Sequence, residues 1–241
     1  MKSPNYFLSS MENSQLPANQ KKAQTRKVRP SLRKRTMRNP TKKNSAFEQL
    51  FSGLMGNTAN TDKYANYTTT YGEVTEPGIR KMSETFQKYC PLKGVPIENR
   101  TFFDLGCGVG KAVIGMAILH PDIRACGIEI VEDRIQFARQ AHSRIKNKNI
   151  MNRVAFYEGS FLDPKYRLSS TCWLYMSNLC FNEETQQQLL SKFAAELPQH
   201  AVVICSKELN GADKKGFVLR ERVNIPMTWN DQHVVNVYQK N

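Results

Sequence analysis

At 241 residues, 40% hydrophobic and 10% aromatic, the chain suits one globular domain of up to about 200 residues with a tail attached. No apolar run approaches the roughly 18 residues needed to cross a bilayer, and "MKSPNYFLSSMENSQLPANQ" has no apolar core of signal-peptide type. The net charge of +14 is lopsided: residues 1–47 carry 12 Lys or Arg against one acid, Glu12, whereas the remaining 194 carry 23 bases and 20 acids.

The centre of that first segment, Lys21 to Lys43, holds eleven bases, two prolines and no acid. Its few apolar side chains cannot offset the entropy of ordering it, so residues 1–45 read as a disordered basic tail and residues 46–241 as the folded domain. A flexible polycation gains by releasing counterions from phosphate, which suits a nucleic-acid arm. A solubilising or nuclear-import segment, or an organelle transit peptide, stays open beside that reading.

From Ala46 the pattern alternates helix and strand. "FEQLFSGLM" (47–55) reads as a short helix and Asn57 to Thr70 as a polar loop. "EPGIRKMSETFQKYC" (76–90) is a helix with Pro77 in its first turn, where the missing N–H costs little. "RTFFDL" is a strand, "KAVIGMAILH" a helix stopped by Pro121, and "IRACGIEI" the next strand. "VEDRIQFARQAHSRIK" is an amphipathic helix with apolar positions 131, 135, 138, 141 and 145. "RVAFYEG" and "TCWLYMSNL" are strands, "ETQQQLLSKFAAEL" a helix, "HAVVICSKEL" a strand, and "RERVNIPMTWNDQHVVNVYQ" a terminal hairpin. Such alternation predicts an α/β fold: a mainly parallel sheet with helices on both faces and an antiparallel hairpin at the C-terminus. The six cysteines form no CxxC pair and the four histidines are scattered, so reduced, partly buried thiols and no metal site are expected.

Ligands of open α/β sheets sit beyond the carboxyl ends of the strands, where Asp104 and Gly106, Gly108 and Gly110 fall. The dinucleotide pattern G-x-G-x-x-G fails, because Lys111 or Val113 would hold its third glycine. A phosphate loop fails too, for Gly110-Lys111-Ala112 lacks both the earlier glycine and the hydroxyl. What remains, Asp-Leu-Gly-Cys-Gly-Val-Gly, resembles motif I of the class I S-adenosyl-L-methionine methyltransferases. In that fold Asp104 would attract the cofactor's ammonium. Glu129, 19 residues after Gly110 at the next strand end, would grip its ribose hydroxyls. Methyl transfer needs a positioned, uncharged nucleophile and a dry site more than it needs acid or base. Ser177 and Asn178, past the fourth strand, are where the acceptor would lie in such folds.

Over roughly residues 64–241 the chain resembles one family in particular, the non-SET histone lysine methyltransferases of the disruptor-of-telomeric-silencing type. The resemblance is carried by "YGEV" (71–74), "FFDLGCGVGK", "GIEIVEDR", "EGSFLDPKYR", "MSNLCF", "VICSKEL" and "PMTW" in order. It implies that Tyr71, Gly72 and Glu73 close over the cofactor, that Phe161 packs on adenine beside Ser160, and that Asn178 and Ser177 serve the transfer step, Asn178 also touching the cofactor. It further implies a class I, Rossmann-like fold, a lysine of the histone H3 nucleosome core as substrate, nucleosomal DNA under the basic tail, and a nucleus as the site of action. The chain departs from the family pattern at Ser177, where an Asn is usual, at Ser160, where an acid is usual, and at Asn236 and Val237, where paired tyrosines are usual. An RNA or other non-histone methyltransferase, and a cofactor-binding protein without catalysis, are the alternative readings.

Overall fold

The structure, a computed structural model, describes residues 45–241 apart from Asn66 and Thr68. The basic segment Lys21–Lys43 lies outside the described residues. In chain order the elements are α1 (Ala46–Leu50), α2 (Glu76–Tyr89), β1 (Thr101–Leu105), α3 (Lys111–Leu119), β2 (Arg124–Glu129), α4 (Glu132–Ser143) and α5 (Lys148–Met151). There follow β3 (Val154–Glu158), β4 (Thr171–Met176), α6 (Glu183–Glu196), β5 (Val202–Cys205), β6 (Phe217–Ile225) and β7 (His233–Lys240). The strands form one sheet in the order β3-β2-β1-β4-β5-β7-β6, parallel from β3 to β5, with β7 antiparallel to both its neighbours. The α/β fold with a C-terminal antiparallel hairpin is therefore as the sequence predicts.

Alternation along the strands builds two cores, because successive side chains leave opposite faces of a pleated strand. Phe102, Trp173, Tyr175, Val202 and Ile204 pack under α2, α3 and α4. Phe103, Leu105, Leu174, Met176, Val203 and Cys205 pack under α6. Trp173 is fully buried, stacks on Phe86 at 5.2 Å and donates its indole N–H to Cys90 O, so its one polar atom is satisfied. The five apolar positions expected of α4, Val131, Ile135, Ala138, Ala141 and Ile145, are all buried.

Element ends shift where caps or turns decide them. α4 stops at Ser143, with Arg144 as its C-cap. α5 is not read from periodicity; it is a single turn held by Asn147, whose side chain accepts from Asn149 N and Ile150 N. β6 begins at Phe217, three residues before the expected hairpin, because left-handed Gly216 turns the chain and "FVL" continues the strand pattern. None of the six cysteines is in a disulfide; five are buried and Cys180 is exposed. No helix among the described residues is long and apolar enough to cross a membrane.

Candidate active site

A cleft opens at the carboxyl ends of β1, β2 and β4, and the glycine turn forms its floor. Gly106 N and Cys107 N both donate to Ile128 O, at 2.8 and 3.0 Å, which ties the turn to β2. Gly106 and Gly108 adopt φ of 87° and 54°, backbone that favours glycine, and both line the cleft. A Cβ on Gly108 would lie 2.8 Å from the Tyr71 ring. Gly110 differs from expectation: it does not line the cleft. Its left-handed backbone starts α3, and a Cβ there would meet Phe156 at 2.4 Å, so it allows close helix–sheet packing.

Two buried carboxyl groups meet above this floor. Glu129 accepts from Gly108 N through Oε2 and from Val131 N through Oε1, each at 2.9 Å. Asp104 is 3% exposed, and among the described residues neither a cation nor a hydrogen-bond donor to its carboxyl is found. Burial first, and Glu129 second, raise the Asp104 carboxyl well above the usual carboxylate range. A site of this kind could hold a ligand that brings its own positive charge, with hydroxyls for Glu129.

The cover over the turn is a strap from Tyr71 to Val74. Gly72 packs flat on Trp229, where a Cβ would come within 2.3 Å of the indole. Glu73 N donates to Thr228 Oγ1, Thr228 N returns to Glu73 O at 2.8 Å, and Val74 bridges Met227. The "YGEV" and "PMTW" segments, about 150 residues apart, are thus one structure. The Tyr71 hydroxyl donates to Glu73 Oε1, and Glu73 Oε2 stands 2.9 Å from Lys111 Nζ. Lys111 also reaches Glu48 of α1 at 3.2 Å. Arg134 of α4 donates to Gly56 O and Thr69 O while its guanidinium lies 4.6 Å from the Tyr71 ring centre, fastening the strap from beneath.

On the far side Ser160, Phe161, Tyr175, Ser177, Phe181, Asn182 and Thr185 complete the lining. The Phe161 and Phe181 rings are 5.2 Å apart. Ser160 Oγ accepts from Leu162 N and shapes the loop that carries Phe161. Burial, then Asp104, keeps the Tyr175 phenol far above its usual range, so its hydroxyl is a donor. Asn178 is fully buried and does not line the cleft. Its amide donates to Gln186 Oε1 and Lys207 O and accepts from Lys207 N at 2.8 Å. It holds the loop after β4 against the loop after β5, and Ser177 is the neighbour that reaches the cleft. Asn178→Ala, which takes away the partner of the buried Gln186 Oε1 and of Lys207 N–H, is expected to cost about 2 kcal/mol, or roughly 4–8 °C in Tm by calorimetry.

Ten of the twelve residues expected here, Tyr71, Gly72, Glu73, Asp104, Gly106, Gly108, Glu129, Ser160, Phe161 and Ser177, line the one cleft. Lys111 and Arg134 are lining residues that sequence reasoning misses. Arg134 does leave a trace, since it falls on the apolar face of α4 between Val131 and Ala138.

The chain matches the family described as histone methylation protein DOT1 over residues 54–236. Among solved structures it is similar to an RNA methyltransferase from Salinibacter ruber in complex with S-adenosyl-L-homocysteine. That match has 18% identity and a TM-score of 0.50, and covers 69% of this chain and 91% of that one. The glycopeptide N-methyltransferase MtfA complexed with sinefungin is similar at 10% identity and a TM-score of 0.51, covering 67% of this chain and 85% of that one. An uncharacterized protein, RP028, of Rickettsia prowazekii (strain Madrid E) is 26% identical over 81 residues, 34% of this chain. This chain spans only 31% of that curated relative's length. The sheet order and the structural likenesses give the fold of the class I methyltransferases, and the match across residues 54–236 makes the chain a member of the histone methylation protein DOT1 family.

Proposed function

We propose that the chain is an S-adenosyl-L-methionine-dependent methyltransferase whose acceptor is a protein lysine, with a core lysine of histone H3 in the nucleosome as its substrate. The observation that supports this most is the joining of the Tyr71–Glu73 strap to the Thr228-Trp229 turn over the Asp104–Glu129 pair, within the span that matches the family. Asp104 would hold the cofactor's ammonium, Glu129 its ribose, and Phe161 its adenine, with the open backbone at Gly106 and Gly108 leaving room for the methionine part. The bound cofactor supplies a methyl group on a sulfonium, ready for in-line displacement. The chain's own residues hold the acceptor nitrogen in line and keep water out. Ser177 Oγ can accept a hydrogen bond from the arriving amine, while the neighbouring Tyr175 hydroxyl donates to Met227 Sδ. Asn178 sets the position of Ser177 through Gln186 and Lys207 rather than by contact with the substrate.

The same reading assigns the basic segment Lys21–Lys43 to nucleosomal DNA and the protein to a nucleus. Labelled cofactor offered with nucleosomes, free histones and total RNA tests it: label is expected on histone H3 within nucleosomes. Label confined to RNA would favour the RNA methyltransferase reading, and no label would leave a binding protein. Deleting residues 1–43 is expected to weaken nucleosome binding and to flatten its salt dependence. The log–log slope should shrink by about 0.9 for each phosphate that the segment no longer neutralises. If that deletion leaves nucleosome methylation intact while abolishing import into a nucleus or organelle, the segment is an address instead.

A further inference from the structure

Asp104 lies between two strands, paired in register with Gly127 of β2 and Tyr175 of β4. Each group that could neutralise its carboxyl is engaged elsewhere or uncharged. Lys111, at the start of α3, is shared by Glu73 and Glu48. Arg134 of α4 is committed to two carbonyls and the Tyr71 ring. The facing groups of β4 and of the turn, the Tyr175 phenol and the Cys107 thiol, are both pushed up by burial first and also by Asp104. The remaining neighbour is Glu129 of β2, a second carboxyl that raises Asp104 further and whose two oxygens already accept backbone N–H bonds. A buried carboxyl in such company takes a proton rather than a charge.

We propose that Asp104 exchanges a proton for the ammonium of the incoming cofactor, so that binding releases a proton and selects ligands that carry an ammonium. The O–H bond of the Asp104 carboxyl breaks, the proton goes to solvent buffer, and the carboxylate left behind pairs with the ammonium. No oxidant or further reactant is needed. This rests on the cofactor assignment above and goes beyond it, because the assignment by itself requires no proton to move.

The sign of the pH dependence follows. Without ligand the carboxyl is protonated up to its raised value, and binding requires the anion. Affinity therefore rises about tenfold per pH unit through that range and levels off above it. The same displacement acts on folding. A carboxyl raised in the folded chain costs stability as pH climbs from its unfolded value, near 3.9, through its folded one. Asp104→Asn removes that cost, so the variant is expected to melt higher than the parent at neutral pH, with the gain shrinking toward about pH 4.

The experiment is titration calorimetry of the full chain with S-adenosyl-L-homocysteine, in buffers of different ionisation enthalpy. The pH is kept below about 7 so that the ligand's amino group stays protonated. The expected result is a heat that varies linearly with buffer ionisation enthalpy, with a slope approaching one proton released per site. 5′-Methylthioadenosine, which has no ammonium, is expected to bind with zero slope and no pH dependence. Asp104→Asn is expected to bind the homocysteine ligand at least tenfold more weakly, with zero slope. Binding of that ligand by the parent chain with zero slope at every pH overturns the proton exchange and leaves the cofactor assignment standing. Proton release that persists in Asp104→Asn overturns it as well, by assigning the proton to another group. Failure of the parent chain to bind the ligand overturns both.

Discussion

Glu129→Ala is expected to lower the affinity for S-adenosyl-L-methionine by roughly two to four orders of magnitude in titration calorimetry. Two ribose hydroxyls donating to a charged acceptor are worth about 1.5–3 kcal/mol each, and about 1.4 kcal/mol is a factor of ten. The substitution also removes the acceptor of Gly108 N, so the glycine turn loses the bond that fixes its height in the cleft. One effect runs the other way. Without Glu129 the repulsion that helps to keep Asp104 protonated is gone, which eases ionisation of Asp104 and recovers a fraction of the loss. Glu129→Gln separates these contributions, because it keeps an acceptor oxygen while giving up the charge. Unchanged affinity in the alanine variant would remove Glu129 from the cofactor site.

Arg134→Ala carries the second large effect, on the strap rather than on the ligand. The guanidinium is the only polar group among the described residues shown bonding to both Gly56 O and Thr69 O, and it lies against the Tyr71 ring. Two charge-assisted hydrogen bonds and a cation–π contact together come to about 3 kcal/mol or more. Removing them is expected to open residues 56–71 locally, raising amide exchange there about a hundredfold while the strands keep their protection. Cofactor affinity is expected to fall with it, since a cover that must be ordered by the ligand charges its entropy to binding. Arg134→Lys is expected to rescue little, because a point charge cannot span two carbonyls and stack on a ring at once. Exchange in the strap that stays at the parent rate would show that the Thr228-Trp229 turn alone holds it closed.

Much of this molecule is legible in order along the chain. The alternation in β1 and β4, the helical spacing of Val131, Ile135, Ala138, Ala141 and Ile145, and the turn from Asp104 to Gly108 are local patterns. Their period depends only on the geometry of a strand, a helix or a tight turn. Glu129 is within reach for the same reason, since one strand–turn–helix–strand unit sets its distance from the glycines. What the local pattern does not contain is which side chains face one another across elements. Glu48 of α1 and Glu73 of the strap share Lys111 only because both are brought to the first turn of α3. Gly110 faces Phe156 rather than the cleft because α3 lies against β3 at that point. Asn178 follows the cleft-lining Ser177 in the chain yet is buried away from the lining, since closing β5 beside β4 sets Lys207 within its reach. Sequence by itself determined the longer helices and the strands apart from their ends, the fold class and the residues of the glycine turn, because each follows from neighbours in the chain. The partners of the charged and amide groups were decided by the tertiary structure, because burial and pairing depend on the packing of segments up to about 150 residues apart.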